Sequence, residues 1–588
     1  MTAANDATPL ALAQPEDQHT QGEWEAATAA VLRKSRRLTD EDADAAVWEK
    51  LTRTTLDGIA ITPLGVPADL DDLRTAGRPT RAGAWDVRAR LAGDDAKLLN
   101  EHALVDLDGG VTSLWVEAGP DTDLATLLDG VLLDLAPVVL DSTTPQTSAE
   151  ALLELADDRG VDLHPDTNFG ADPIGQEVRG FRGSAPGGLA PQPADLVAVA
   201  ELAQAHGVRA VVVDATVVHD LGASDAQELG YSMAAGASYL RALTDAGLGV
   251  ATAAGLIEFR YAATDEQFPT IAKLRAARRL WARVLELSEV EETVDQRQHA
   301  VTSRPMLSKY DPYVNMLRTT VAAFAAGVGG ADAVTVLPFD TPLGQPDAFG
   351  RRIARNVSHL LMDESHVHEV ADPAGGAYAV ERLTDDLAVA GWAELDRIEA
   401  AGGIEAALAD GSLQSRIDEV VARRESDIAK RKRPITGLSE FPNLAETLPE
   451  RAPATDDVRR YGASFEALRD EPAGAPVFLA TLGSIAQHTA RATFATNLLA
   501  AGGIAVEVAG PTDGVDSLAA AYDGQAVVCL AGTDEAYAEW GADAAAALRE
   551  RGAKHVIVAG KPADYADDSC AMGVDALAFL NRTREVLR

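Results

Sequence analysis

The sequence predicts an α/β protein, a (β/α)8 TIM barrel followed by a smaller flavodoxin-like, doubly wound α/β domain. Three observations lead there. At 588 residues the chain is too long for one compact domain. From about Trp85 to Val420, short β-branched runs alternate with long Ala- and Leu-rich segments, as βα units closing a parallel sheet require. The last stretch, about 115 residues, repeats that alternation on the scale of a doubly wound sheet.

The elements follow in order. Residues 1 to about 20 are small, polar and Pro-containing. The helical spacing of Trp24, Ala27, Val31 and Leu32 then predicts a short amphipathic helix, and a second helix carries Trp48. Residues 1–50 are therefore expected to form an arm that buries these apolar side chains on a partner. Residues 51–430 are assigned to the barrel, with strands in "TSLWVEA", "PVVLDS", "RAVVVDATVV", "GVATAAGLIEFRYA" and "DAVTVLPFD". A Pro-rich polar linker is expected over 431–474. The tail domain, 475–588, has five apolar runs, "PVFLATL", "IAVEVAG", "AVVCLAG", "HVIVAG" and "VDALAFL", read as its five strands.

Composition excludes several classes of function. A formal charge of −40 argues against nucleic acid or an anionic membrane surface as partner. Only Cys529 and Cys570 are present, so neither a disulfide framework nor a cysteine metal site is expected. The N-terminal stretch has no basic region followed by an apolar core, and no run reaches membrane-spanning length, so a cytoplasmic protein is expected. "HVHEV" at 366–370 places His366 and His368 near Glu364 and Glu369, but no third ligand at metal spacing supports them. The glycine-containing stretches lack phosphate-cradling spacing.

The block "RRIARNVSHLLMDESHVHEVADPAGGAYAVERLTDDLA", with "AKLRAARRLWARV" and "DPYVNMLRTTVAAFAAG" before it, resembles the acyl-CoA mutases that use adenosylcobalamin, above all methylmalonyl-CoA mutase. The resemblance runs from about Asp57 to the end of the chain. It implies a barrel that admits a CoA thioester along its axis and a tail domain that holds cobalamin against the barrel mouth.

Three motifs of that family are altered here. Its Asp-x-His-x-x-Gly, whose His ligates cobalt, falls on Ile485, Gln487 and Ala490 when anchored on Gly483; His488 stands one residue late. A ligating His also needs a partner that sets its tautomer, and Ile485 cannot be one. The His that contacts the substrate thioester falls on Val217, which cannot donate a hydrogen bond. His219 follows two residues later, about 6 to 7 Å along a regular strand. The family's Trp-x-x-Arg-Gln-Tyr-Ala-Gly reads "WDVRARLAG" from Trp85 to Gly93: Arg88 is kept, and Arg90 or Leu91 replaces the tyrosine.

The resemblance therefore implies a non-catalytic subunit of a heterodimeric enzyme of this family. Neither catalytic, cofactor-binding nor metal-ligating residues are assigned to this chain, and its tail is read as a degenerate cobalamin-binding domain. Adenosylcobalamin is expected on the large catalytic partner, which would interconvert (R)-methylmalonyl-CoA and succinyl-CoA. The other readings are a mutase with a displaced cobalamin site at His488 and His219, and an acyl-CoA-sensing pseudoenzyme.

Overall fold

The computed structural model describes residues 18–73, 77–180, 193–292, 294–452 and 458–588. Helix α1 (Gln21–Lys34) starts at a capping box in which Thr20 and Glu23 satisfy each other's backbone N–H groups. It packs on α2 (Ala46–Leu51): the Trp24 and Trp48 rings lie 4.8 Å apart, and Leu32 and Val47 are buried beside Ala29 and Leu38. The arm thus has a small core of its own, and among its described residues only Val31, 66% exposed, still presents a large hydrophobic side chain to solvent. A short hairpin follows, β1 (Arg53–Thr54) and β2 (Ala60–Ile61).

The barrel closes from eight parallel strands: β3 (Asp86–Leu91), β4 (Ser113–Ala118), β5 (Val138–Ser142), β6 (Asn168–Ala171), β7 (Arg209–Asp214), β8 (Ile257–Ala263), β9 (Arg297–Thr302) and β10 (Ala333–Thr335), with β10 beside both β3 and β9. Its alternation is the expected one for a barrel, with one set of side chains facing the helices and the other the axis.

Strands β3, β6 and β9 were not legible as strands, and the reason is physical. On β3 and β9, axial Asp86, Arg88, Arg90, Arg297 and His299 interrupt the apolar run. On β6, Gly170 sits at φ +70°, where an added Cβ would lie 1.8 Å from the Leu140 carbonyl oxygen, so a glycine is required in mid-strand.

Two barrel strands are shorter than expected. The run "RAVVVDATVV" leaves the sheet at Asp214 and turns into a helix, Thr216–Leu221, while "VATAAG" is a helix before β8.

The second sheet is β11 (Val477–Thr481), β12 (Val506–Val508), β13 (Val527–Ala531), β14 (His555–Ala559) and β15 (Asp568–Cys570), ordered β12-β11-β13-β14-β15, the flavodoxin-like order. "VDALAFL" is not its fifth strand. Asp575 caps a helix there by accepting from the Ala578 N–H, and Ala576, Phe579, Leu580, Thr583 and Leu587 bury one helical face. The fifth strand lies just upstream and is too short and polar to stand out.

The stretch 431–474 also contains structure. Helix Ala463–Asp470 buries Phe465 and Leu468 in the core of the tail. Its Glu466 accepts from the Lys309 N–H at 2.8 Å, and the Arg469 guanidinium lies 3.9 Å from the Tyr310 ring, tying it to the loop after β9. No helix among the described residues is long and apolar enough to cross a membrane.

Candidate functional site

In a TIM barrel the loops after the strands form the site, so the axis and its mouth come first. Arg88 on β3 reaches across to Glu258 on β8, which is not a neighbouring strand, with Nη1 donating to Oε1 at 2.7 Å; neither side chain is exposed. Arg88 also donates to Asp86 and to Ser113 Oγ at 3.0 Å. Burial opposes the Glu258 charge, but Arg88 and Arg297 outweigh it and hold this carboxyl down at about 2.

One layer nearer the mouth, Arg260 of β8 lies 3.9 Å from the Trp115 ring of β4, donates to Asp214 at 2.9 Å and donates Nε–H to His299 Nδ1 at 3.1 Å. His299 therefore carries its proton on Nε2 and donates it to Thr335 Oγ1 at 2.7 Å. Burial, then the charges of Arg88 and Arg260, keep that imidazole neutral. Arg179 closes the layer on Asp141 at 2.7 Å and Asp214 at 2.6 Å.

Arg88–Glu258 and Arg260–Trp115 join strands that are not neighbours, whereas Arg260–Asp214, Arg260–His299 and His299–Thr335 join adjacent ones, so paired charges and one indole fill the axis.

Above this plug is a mouth cavity of about 820 Å³, lined among others by Arg90, Trp115, Glu117, Arg179, Val217 and Arg304. The altered positions can be placed around it. Arg90 faces the cavity and donates Nε–H to Glu117 at 2.7 Å, whereas Leu91 is buried in the layer between strand and helices. Arg90, not Leu91, is thus the residue at the mouth.

Val217 lines the cavity from a helix rather than a strand, which corrects the expectation for His219. Two residues along a helix rotate a side chain by about 200°, so His219 points away from Val217's direction. It is buried, with Nε2 2.7 Å from Ser303 Oγ and Nδ1 3.5 Å from Glu228, itself paired with Lys273.

Asp172, just after β6, is where the site's electrostatics meet stability. Burial first, then the Asp214 charge, push its carboxyl up to about 7, and Tyr239 donates to it at 2.6 Å. Because the folded value lies above the unfolded one, its stabilising contribution is complete below the ordinary carboxylate range and is lost as pH rises through about 7. Asp172→Asn should therefore flatten the fall in stability between mildly acidic pH and pH 8. Urea midpoints that decline equally in both proteins would refute this.

In the tail, the loop after β11 is almost absent. Gly483 turns at φ +87°, Ser484 caps the next helix, and Gln487 Oε1 accepts from the Ser484 N–H at 2.8 Å, so the residue in the cobalt-ligand position is spent on a capping box. Ile485 is 64% exposed on the first turn and Ala490 lies within the helix.

His488 is buried, and its Nδ1 lies 3.2 Å from the Gly483 carbonyl oxygen, to which it must donate. It edges a cavity of about 900 Å³ with Phe441, Phe494 and Met572. Without the carboxylate at 485 or an extended loop to present an imidazole, these residues fit the lower face of a cobalamin poorly. His366 and His368 join no cluster of three or more ligating side chains among the described residues.

The fold and the position of the mouth define a class: a TIM-barrel chain with a flavodoxin-like domain behind it. The family profile "Methylmalonyl-CoA mutase" matches residues 108–506. The "Methylmalonyl-CoA mutase small subunit" of Streptomyces virginiae is 46% identical over 98% of this chain and 98% of its own length. The "Probable methylmalonyl-CoA mutase small subunit" of Mycobacterium tuberculosis H37Rv is 40% identical over 92% of each chain. That of Propionibacterium freudenreichii subsp. shermanii, "Methylmalonyl-CoA mutase small subunit", is 35% identical over 99% of this chain and 97% of its own. The chain belongs to the methylmalonyl-CoA mutase family.

Proposed function

We propose that this chain is the small, non-catalytic subunit of a cytoplasmic methylmalonyl-CoA mutase, and that it stabilises a large subunit that holds adenosylcobalamin and interconverts (R)-methylmalonyl-CoA and succinyl-CoA. The observation that carries the reading is the filled axis. A CoA chain threading the barrel would have to displace Arg88, Trp115, Arg260 and His299, which are buried, Arg88 on Glu258 and Arg260 on Trp115 and His299. Freeing them would strip Glu258 of Arg88 and take Arg260 from Asp141 and Asp214, leaving these buried carboxylates to Arg297 and Arg179. The helix cap at Gln487 and the valine at 217 support the same reading from the tail and the mouth.

One observation favours the displaced-ligand reading. His488 donates from Nδ1, which leaves Nε2 as an acceptor, the tautomer of a metal ligand. The experiment that separates the two is cofactor uptake by the purified chain. The expected result is that micromolar adenosylcobalamin passes through gel filtration without co-eluting. Stoichiometric retention with a cobalt-corrin spectrum, lost in His488→Ala, would overturn the non-catalytic assignment.

The arm keeps a place in this reading. Since α1 and α2 bury their tryptophans on each other, what the arm offers a partner is a prefolded surface with Val31 on it, rather than loose apolar residues. Deleting residues 1–50 should weaken association with the large subunit. An unchanged dissociation constant would assign the arm to this chain alone.

A further inference from the structure

One face of the barrel departs from the rest of the surface. Helix Val314–Val328 packs against the barrel, yet its outward side carries no charge: Tyr313 and Leu317 are exposed, Met316, Thr320 and Val321 are half-buried beside them, and Phe324 further along packs against Ile271, Ala374 and Val380. Tyr313 is 65% and Leu317 68% exposed. The only charged residue of the helix, Arg318, is buried and donates to Ser308 Oγ, Asn315 Oδ1 and the Thr436 carbonyl at 3.0, 2.7 and 2.9 Å. In a chain with 24% charged residues, an outer helix face without one is not what solvent alone would select.

The apolar surface continues sideways. The Tyr313 and Phe339 rings stack at 5.5 Å, and Phe339 meets Phe349 at 5.8 Å edge to face. Phe349 opens the neighbouring helix, Ala348–His359, which carries Arg351, Arg352 and Arg355 and no acidic residue. Arg351 and Arg355 are spent on Asp106, while Arg352 is exposed, its guanidinium 5.5 Å from the Phe349 ring. An aromatic and aliphatic centre with an arginine at its edge has the composition of the energetic core of a protein interface.

We infer that the face formed by Tyr313, Leu317, Phe349 and Arg352 docks the large subunit, through an apolar surface that sets a carboxylate opposite Arg352. This rests on the small-subunit reading above. Charge selects the occupant. A second copy would bring another −40 to a molecule already at −40, and a two-fold contact centred here would set Arg352 close to its own copy. A different chain with an acidic group at this point meets neither cost.

The test uses the full chain and its own large subunit. Both native cysteines are buried, so Leu317→Cys can be labelled there with an environment-sensitive fluorophore. Adding the large subunit should shift the emission to the blue and shield the dye from a soluble quencher. Leu317→Asp, checked for unchanged circular dichroism and melting, should weaken association at least tenfold, whereas Val389→Asp, at an equally exposed site on another helix, should not.

If the unmodified chains associate but the dye and Leu317→Asp report nothing, this face is wrong and the subunit reading stands. If the unmodified chains do not associate, the subunit reading fails and takes this inference with it. Self-association abolished by Leu317→Asp would make the occupant a second copy and overturn the proposal.

Discussion

Replacing Arg88 by Ala is expected to destabilise the barrel by about 3–5 kcal/mol, read as a lower urea midpoint for the barrel transition. The substitution removes the partner that Glu258 meets at 2.7 Å and leaves the carboxylate buried, with Arg297 as its remaining cation at 3.3 Å. A cavity where the guanidinium lay adds to the loss.

The deficit should depend on pH with a defined sign. Glu258 has its folded-state value depressed to about 2, so its contribution is present above the ordinary carboxylate range and is lost as pH falls through about 2. Without Arg88 the carboxyl takes up a proton at higher pH, so the variant should lose most relative to the parent near neutrality and least in acid. Arg88→Met combined with Glu258→Leu should recover most of the stability, because two apolar side chains of similar bulk leave no charge to compensate. A loss below about 1 kcal/mol for Arg88→Ala would mean that water reaches the pair, and the filled axis would no longer support a non-catalytic barrel.

Trp115→Ala should cost a similar amount, about 3–5 kcal/mol. The indole fills the centre of the middle layer, meets His299 edge to face at 5.6 Å, carries the Arg260 guanidinium on its face at 3.9 Å and donates Nε1–H to Asp141 at 3.2 Å. Its removal deprives Arg260 of a cation–π partner in a desolvated site and leaves a void between charges. Opening the plug should not create activity, since neither Val217 nor His219 can act on a thioester at the mouth: one cannot donate, and the other is turned toward Ser303 and Glu228. Methylmalonyl-CoA turnover by the variant chain alone would show that the plug had hidden a competent site.

The architecture was legible because both sheets repeat a simple pattern, and five barrel strands and four tail strands showed themselves as apolar β-branched runs. Strands β3 and β9 were obscured because their axial residues are polar or charged, and only the folded sheet brings them their partners, Glu258 of β8 for Arg88 and Arg260 of the adjacent β8 for His299. The tail's last helix was misread because a seven-residue apolar run has no clear period until the Asp575 cap fixes where the helix starts.

The altered motifs were readable from order alone: Ile485, Gln487, Ala490 and Val217 are facts of the chain. Their surroundings were not. That "ATVVHDLG" is helical, that Gln487 closes a helix cap, and that His488 hydrogen-bonds back to Gly483 depend on contacts between residues near in space. The sequence by itself determined the fold class, the family and which motif residues are missing, because these are properties of pattern and position. Only the tertiary structure decided that the barrel is closed along its axis and that one outer helix face is left uncharged, because a charge is paired, and a surface exposed, only by what the folded chain brings beside it.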